Sequence, residues 1–477
     1  MPTANSDGSS RQLVRGLTLI PAAALIITGV IGSGVFLKAR VMTCNVGSPG
    51  MVLLAYVVAG IFTLAGALSF AELSTVMPRA GGQYNFIGAA FGRVWAFLYG
   101  WMATFIDGAG SMAALAIVFA IFFNDLIGGT LAASQAQMLT VGILLVVMVL
   151  NFGSARFNGI FSSVVTALKV ALVVGIALGA FFLSDGTWGH YAQTGAAGVC
   201  EGVAPGVRLG IAGFGAAIVG ALWSYNGWAM VTMVAEEIGD PARTLPRALF
   251  GGTMLLIILY VLINASYFYV LTPEAVASVS ESSSVAGQVV VRFLGAGGVA
   301  VMAIGMMTSV FGALHGTGLS NSRLPFAMAR DGMLPRRLSV ITKKSHIPAN
   351  AVILICAAAI ILALSGTFDI LTDLIVFGLL LFNGLGVASV MVLRKKMPDV
   401  ERPFKVPGYP LVPALFLLAT IYLMINTLVT TPGRALAGLA IIAAGLPVYF
   451  YYSRKLGPSR PEDFLGESGD SPIPDRE

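Results

Sequence analysis

Long, predominantly apolar runs recur along almost the whole chain, and no other feature limits its fold as strongly. They fall at about 17–37, 50–77, 91–123, 136–152, 160–184, 207–237, 248–271, 297–322, 349–365, 368–393, 411–430 and 435–452. In hydrocarbon, every backbone N–H and C=O must be satisfied within the protein. A spanning segment is therefore either a helix of about 20 residues or one strand of a closed barrel. None of the runs shows the alternation of a barrel strand. The sequence predicts an all-α polytopic membrane protein of about 12 transmembrane helices. Composition points the same way: 57% of the 477 residues are hydrophobic, 10% are charged and the mean hydropathy is +0.87. Soluble domains carry about 25% charged residues.

The transmembrane region is expected over 15–455, between a disordered cytoplasmic N-terminus at 1–14 and a flexible cytoplasmic tail at 456–477 that is rich in Pro, Ser, Asp and Glu. The first apolar run has no convincing cleavage site. With both termini inside, 22 of the 28 lysines and arginines fall in inner segments. The outer loops hold only Lys38, Arg40, Arg208, Arg292 and Arg434, and Lys169 alone lies within the membrane. This imbalance follows the positive-inside rule, and it explains the net charge of +6 without nucleic acid. The expected location is the cell membrane (inner or plasma membrane), with multiple passes and both termini cytoplasmic. Three cysteines are an odd count, so no self-contained disulfide framework is expected. The cysteines and the three scattered histidines form no CxxC or HxxxH metal site. No GxxxxGK[ST] phosphate loop is present, which argues against a nucleotide-driven pump. No metal and no cofactor is expected.

Glycine makes up 57 residues, about 12% against roughly 7% in average proteins. Most of these glycines are explained by close helix packing. Two clusters sit in mid-run and can unwind a helix: Gly29-Val30-Ile31-Gly32-Ser33-Gly34-Val35-Phe36 in the first run, and Trp223-Ser224-Tyr225-Asn226-Gly227-Trp228 in the sixth. Five spans separate them, the spacing of an inverted repeat over about 15–185 and 205–395, which leaves two extra helices at about 410–455. Breaking a helix at mid-membrane frees N–H groups that hold an anion and carbonyls that hold an ammonium. A broken pair can thus grip both charges of an amino acid. The alternative for Gly32-Ser33-Gly34 by itself is a packing motif.

Lys169 lies about nine residues into the fifth run, roughly 13 Å deep at 1.5 Å per residue and beyond easy snorkelling. Such a lysine is expensive in hydrocarbon and is expected to face carbonyls freed at the first break, where its ammonium would fill the place of a coupling sodium ion. Asp107 in the third run and His315 in the eighth either line the pocket or are satisfied structurally; the sequence leaves both readings open. Glu236, Glu237, Arg243 and Arg247 follow the second break, where capping and loop ion pairs account for them.

In combination and in order, several motifs resemble the amino acid–polyamine–organocation superfamily. They are Gly32-Ser33-Gly34, Phe70-Ala71-Glu72-Leu73, Pro78-Arg79-Ala80-Gly81-Gly82-Gln83-Tyr84, and Tyr225-Asn226-Gly227-Trp228 through Glu236-Glu237 to Pro241. Within that superfamily the chain is most similar to the L-type amino-acid transporters. That rests on Leu319-Ser320-Asn321-Ser322-Arg323-Leu324-Pro325, Ala329-Arg330-Asp331-Gly332, Glu401-Arg402-Pro403-Phe404-Lys405-Val406 and Gly445-Leu446-Pro447-Val448-Tyr449-Phe450.

The resemblance implies the five-plus-five inverted repeat (LeuT-type) with helices 1 and 6 broken. It also implies sodium-independent amino-acid transport, usually by exchange. It assigns the backbone of Val30, Ile31, Gly32, Ser33 and Gly34 to substrate, with Ser224, Tyr225, Asn226 and Gly227 opposite and Trp223 as the aromatic cover. Lys169 takes the place of the fifth-helix lysine, and Tyr260 that of a helix-7 tyrosine linking this lysine to the moving helices. Heteromeric relatives join a glycoprotein through a cysteine between spans 3 and 4. The corresponding segment Asn124–Gln135 has none, so a stand-alone permease without a disulfide-linked heavy chain is expected. Asn226 and Asp107 stand where large-neutral-substrate members have glycine and an apolar residue, which favours small polar or cationic substrates.

The sequence therefore predicts a secondary amino-acid transporter with no enzyme chemistry, moving small L-amino acids by alternating access with membrane lipid around it. The alternatives are a proton-coupled symporter, a polyamine or cationic amino-acid antiporter, and, more distantly, a non-transporting amino-acid sensor.

Overall fold

A computed structural model describes residues 15–128, 130–203, 208–280, 283–295, 297–365, 368–430, 432–454, 456 and 460–465. The expected disordered N-terminus at 1–14 and most of the tail lie outside the described residues. Every regular element among those described is helical. The first run is split into α1 (Leu19–Val30) and α2 (Gly34–Val46), followed by α3 (Pro49–Val76) and the short α4 (Gln83–Phe91). The third span is α5 (Arg93–Met102), a π-turn (Ala103–Gly108) and α6 (Ala109–Leu126), and α7 (Ala133–Leu150) and α8 (Ala155–Leu183) close the first half. The second half begins with α9 (Gly210–Tyr225) and α10 (Met230–Met233) and continues through α11 (Pro241–Val270), α12 (Pro273–Ala277) and α13 (Val285–Leu294). It ends with α14 (Gly297–Asn321), α15 (Arg323–Arg330), α16 (Ala349–Ser365) and α17 (Phe368–Lys396). α18 (Leu411–Thr430), α19 (Pro432–Ala443) and α20 (Leu446–Ser453) follow.

Among the described residues, nine helices are long and apolar enough to cross a membrane, and the bent pair α1–α2 makes a tenth. Two shorter apolar helices, Gly210–Tyr225 and Ala349–Leu364, lie where the sixth and ninth spans were expected. Starts follow local chemistry: Ser48, Ser154 and Asp240 each accept a hydrogen bond from an N–H of the first turn of α3, α8 and α11. The α11 cap is thus Asp240, not Glu236 or Glu237. The two halves pack through like elements. α3 lies on α11, α6 on α14, and α2 on α9, the pairing a pseudo-two-fold relation between repeats produces.

Several of the family-like motifs lie at one end of the bundle, the basic end. Glu72, 1% exposed, is gripped by Arg394 at 2.6 Å, lies 3.5 Å from Arg402, and accepts the Val406 N–H at 2.7 Å. Arg323 and Glu237 form a buried ion pair at 2.7 Å, and Glu236 pairs with Arg330. The Glu237 carbonyl accepts the N–H groups of Gly16 and Leu17, and Gly239 donates back to Leu17. This seals the start of α1 against the segment after α10.

Two expectations change. Cys44, in the last turn of α2, and Cys200 are disulfide-bonded at the opposite end, and Cys356 is free and buried. An odd count rules out complete pairing but not a single bridge. The tail is not wholly detached: a turn at Pro461–Phe464 lies against α4, with Phe464 buried. Beside Phe464, Asp463 meets Arg93 and Arg79.

Removing one member of a buried pair leaves an uncompensated charge, at about 3–5 kcal/mol. Arg323→Ala should lower the apparent melting temperature in detergent far more than Arg330→Ala, whose pair with Glu236 is part-exposed. Equal shifts would show that the Arg323 pair does not hold the basic end together.

Candidate functional site

The chain bends by 44° between α1 and α2. Gly29, Gly32 and Gly34 all have negative φ, so the break does not depend on left-handed backbone. What demands glycine is close approach. A Cβ on Gly34 would lie 2.8 Å from the Cα of Ser224, and one on Gly29 2.8 Å from the Met230 sulfur. At the second break Gly227 has φ 106°, and a Cβ there would sit 2.9 Å from the Gly29 carbonyl. The two unwound segments are thus stacked on each other, each using glycine to admit the other's backbone.

Three carbonyls at the first break, those of Thr28, Val30 and Ile31, have donors, whereas those of Gly29 and Gly32 receive none among the described residues. The Lys169 ammonium donates to Thr28 O and Ile31 O, both at 2.6 Å. Ser309 of α14 donates a second bond to Ile31 O at 3.2 Å. Tyr260 of α11 spans the two breaks, its hydroxyl lying 3.1 Å from Val30 O and 2.8 Å from Ser224 O. A hydroxyl has one proton, so it donates to one of these carbonyls at a time. Tyr267, two turns further along the same face, reaches Val35 O at 3.4 Å. Tyr225 donates to Tyr56 O at 3.2 Å and anchors the end of α9 to α3. The tyrosine thus meets the lysine only through the backbone of the first break.

The freed donors are different. Among the described residues, the N–H groups of Ser33, Gly34 and Val35 have no acceptor. They open α2 at its positive dipole end, the arrangement that binds anions. Across from them, the carbonyls of Tyr225 and Asn226 receive no donor among the described residues. They stand at the negative end of α9. Ser33 and Gly34 of the first set and Asn226 of the second line one cavity, together with Gly29, Gly32, Ser111, Trp223 and Thr317 among others.

Asp107 is buried within the π-turn, 3.4 Å from the Ser111 hydroxyl. Ser111 lines the cavity, so Asp107 stands one side chain behind its wall. His315 is not brought there: its Nε2 lies 3.0 Å from Asn158 Oδ1 and its ring packs on Phe161. Trp223 is half-buried with Lys38 over its ring at 5.9 Å, on the side toward α2. Sequence reasoning missed Ser309, Tyr267 and the π-turn. Tyr267 had a readable signal, its seven-residue spacing from Tyr260, which returns to the same helix face. A serine in an apolar helix and a local π-turn have none.

Residues 17–450 match the family described as amino acid permease. The chain is 29% identical over 442 residues to the serine/threonine exchanger SteT of Bacillus subtilis (strain 168), covering 92% of this chain and 97% of that protein. It is 31% identical over 444 residues to the human cystine/glutamate transporter, covering 92% and 86%. To the human large neutral amino acids transporter small subunit 2 it is 30% identical over 452 residues, covering 94% and 82%.

Lys169→Ala would leave the Thr28 carbonyl without its donor and Ile31 with only Ser309. Substrate binding should survive while turnover falls tenfold or more, since ~1.4 kcal/mol already gives tenfold. Wild-type turnover would remove the lysine from the account. Gly34→Val should abolish transport by forcing the two breaks apart at Ser224, in protein that stays monodisperse. Ser33→Ala keeps its N–H and should cost only roughly 1 kcal/mol. Counterflow in liposomes measures all three.

Proposed function

The chain belongs to the amino acid permease family, and we propose that within it the protein is a sodium-independent exchanger of small polar L-amino acids working by alternating access. It is a multi-pass membrane transporter, not an enzyme. The observation that carries the proposal is the facing pair of unsatisfied groups: N–H donors at Ser33–Val35 for a carboxylate, and carbonyls at Tyr225 and Asn226 for an ammonium. At the first break the carbonyls of Thr28, Val30 and Ile31 are taken by Lys169, Tyr260 and Ser309. The carbonyls of Gly29 and Gly32, which receive no donor among the described residues and line the same cavity, can share the ammonium with those of the second break. Backbone groups do the gripping, so the recognised feature is the α-amino-acid unit itself.

Sodium independence follows from Lys169, whose fixed ammonium stands where a coupling cation would otherwise meet the same carbonyls. The substrate side chain points toward Asn226 and Ser111, with Asp107 behind them, which suits hydroxyl-bearing or small cationic side chains over large apolar ones. The similarity to a serine/threonine exchanger supports the same substrate class. Trp223 is proposed as the cover over the bound substrate, and His315 as structural. The proposed orientation puts the basic end and both termini in the cytoplasm, in the cell membrane. The lysine and arginine count supports it, as does the Cys44–Cys200 bridge at the opposite end, the side on which a disulfide persists.

Counterflow in liposomes tests these points together. Uptake should be equal in sodium and choline buffers, and a steep sodium dependence would defeat the coupling proposal. Serine, threonine and alanine should compete better than leucine and phenylalanine; the reverse order would defeat the role given to Asp107 and Asn226. An inward proton gradient should leave exchange unchanged. Stimulation by it would instead favour the proton-coupled reading, with Asp107 as its carrier.

A further inference from the structure

We propose that the tail segment 460–465 is a latch that holds the basic end closed, so that its release eases opening on that side. The segment is docked through three kinds of contact. Phe464 is 1% exposed and packs edge-on against Tyr84 at 5.8 Å. It fills the space over Gly88 so completely that any Cβ there would collide with its ring. The Asp463 carboxylate pairs with Arg93 at 2.7 Å and also accepts the Arg460 N–H. The Asp463 carbonyl accepts from Arg79 at 2.8 Å.

Arg79 gives these contacts their consequence. Its other terminal nitrogen pairs with Asp331, just past α15, at 3.0 Å. The next residue, Ala80, donates to Glu236 at 3.0 Å, and Gly81 donates to the Met233 carbonyl at 3.0 Å. The loop 79–82 therefore clasps the ends of α10 and α15, and the tail fixes the arginine that begins it. Alternating access requires the segment after the second break to leave its neighbours at this end, which breaks the bonds of Ala80 and Gly81. A segment bound only while that loop is in place stabilises the closed state by its differential contacts. The inference rests on the alternating-access reading proposed above. It adds that a short polar tail, otherwise outside the bundle, sets the balance between the two states.

The test uses the full chain with Ser320→Cys as a reporter, a buried position in α14 one turn from the Arg323–Glu237 seal. Labelling by a water-soluble maleimide is followed in detergent without substrate, against a background lacking the reporter. Phe464→Ala removes the knob, and Gly88→Ala blocks its socket without touching the tail. Each should raise the labelling rate by about threefold or more, as a population shift toward the open state. The double variant should label no faster than Phe464→Ala alone, because a blocked socket no longer matters once the knob is gone. Labelling at the parent rate in both single variants would overturn the latch. So would full additivity in the double variant, or a lowered melting temperature with unchanged labelling. Counterflow by the parent chain tests the transport reading separately, so the two failures are distinguishable.

Discussion

One buried ammonium determines how this structure can exist. A helix unwound in the middle of a membrane exposes carbonyls that neither lipid nor its own chain can satisfy. Lys169 meets two of them, at Thr28 and Ile31, through its terminal nitrogen, and the hydroxyls of Ser309 and Tyr260 reach Ile31 and Val30. A buried lysine alone would be as costly as the bare carbonyls; together each removes the other's penalty. The donors come from α8, α11 and α14, so the break is held from three sides. Among the described residues, its N–H groups at Ser33–Val35 and the carbonyls of Gly29 and Gly32 are left for a ligand.

This division of labour explains why the second break is built differently. Its own Thr232 donates to the Ala229 carbonyl at 2.7 Å, and Tyr260 reaches it from α11, shared with the first break through Val30 and Ser224. Movement of either segment must therefore be felt by the other through that hydroxyl. Gly34 against Ser224 and Gly227 against Gly29 add steric contact to the same coupling. At the basic end the segment after the second break is closed by charge instead, through Glu237 with Arg323 and Glu236 with Arg330 and Ala80. The site and its closure are thus joined by a few backbone contacts, not by a continuous polar path.

Much of this was legible in the sequence because the membrane leaves few alternatives. The apolar runs, the two interrupted spans and the depth of Lys169 follow from hydropathy and the 1.5 Å rise alone. The direction of Lys169 toward the first break followed from asking where acceptors exist in hydrocarbon. Whatever depends on rotation about a helix axis was not legible. Asp107 and His315 look alike in sequence, yet one stands behind the cavity wall and the other is turned to Asn158 and Phe161. The motif residues Glu72, Arg79 and Arg323 carried the family resemblance, and each forms an ion pair at the basic end, with Arg394, Asp331 and Glu237. The role of Gly34 was also hidden: it admits Ser224, and no positive φ is involved.

The central claim is that the two breaks together recognise both charges of an amino acid. Ligand-induced stabilisation of the purified protein tests it most directly, since a ligand that binds only the folded state raises the melting temperature with its concentration. L-serine should stabilise the protein, whereas ethanolamine, which lacks the carboxylate, and 3-hydroxypropionate, which lacks the ammonium, should not. Stabilisation by ethanolamine equal to that by serine would contradict the claim, leaving the N–H groups of Ser33, Gly34 and Val35 without a ligand.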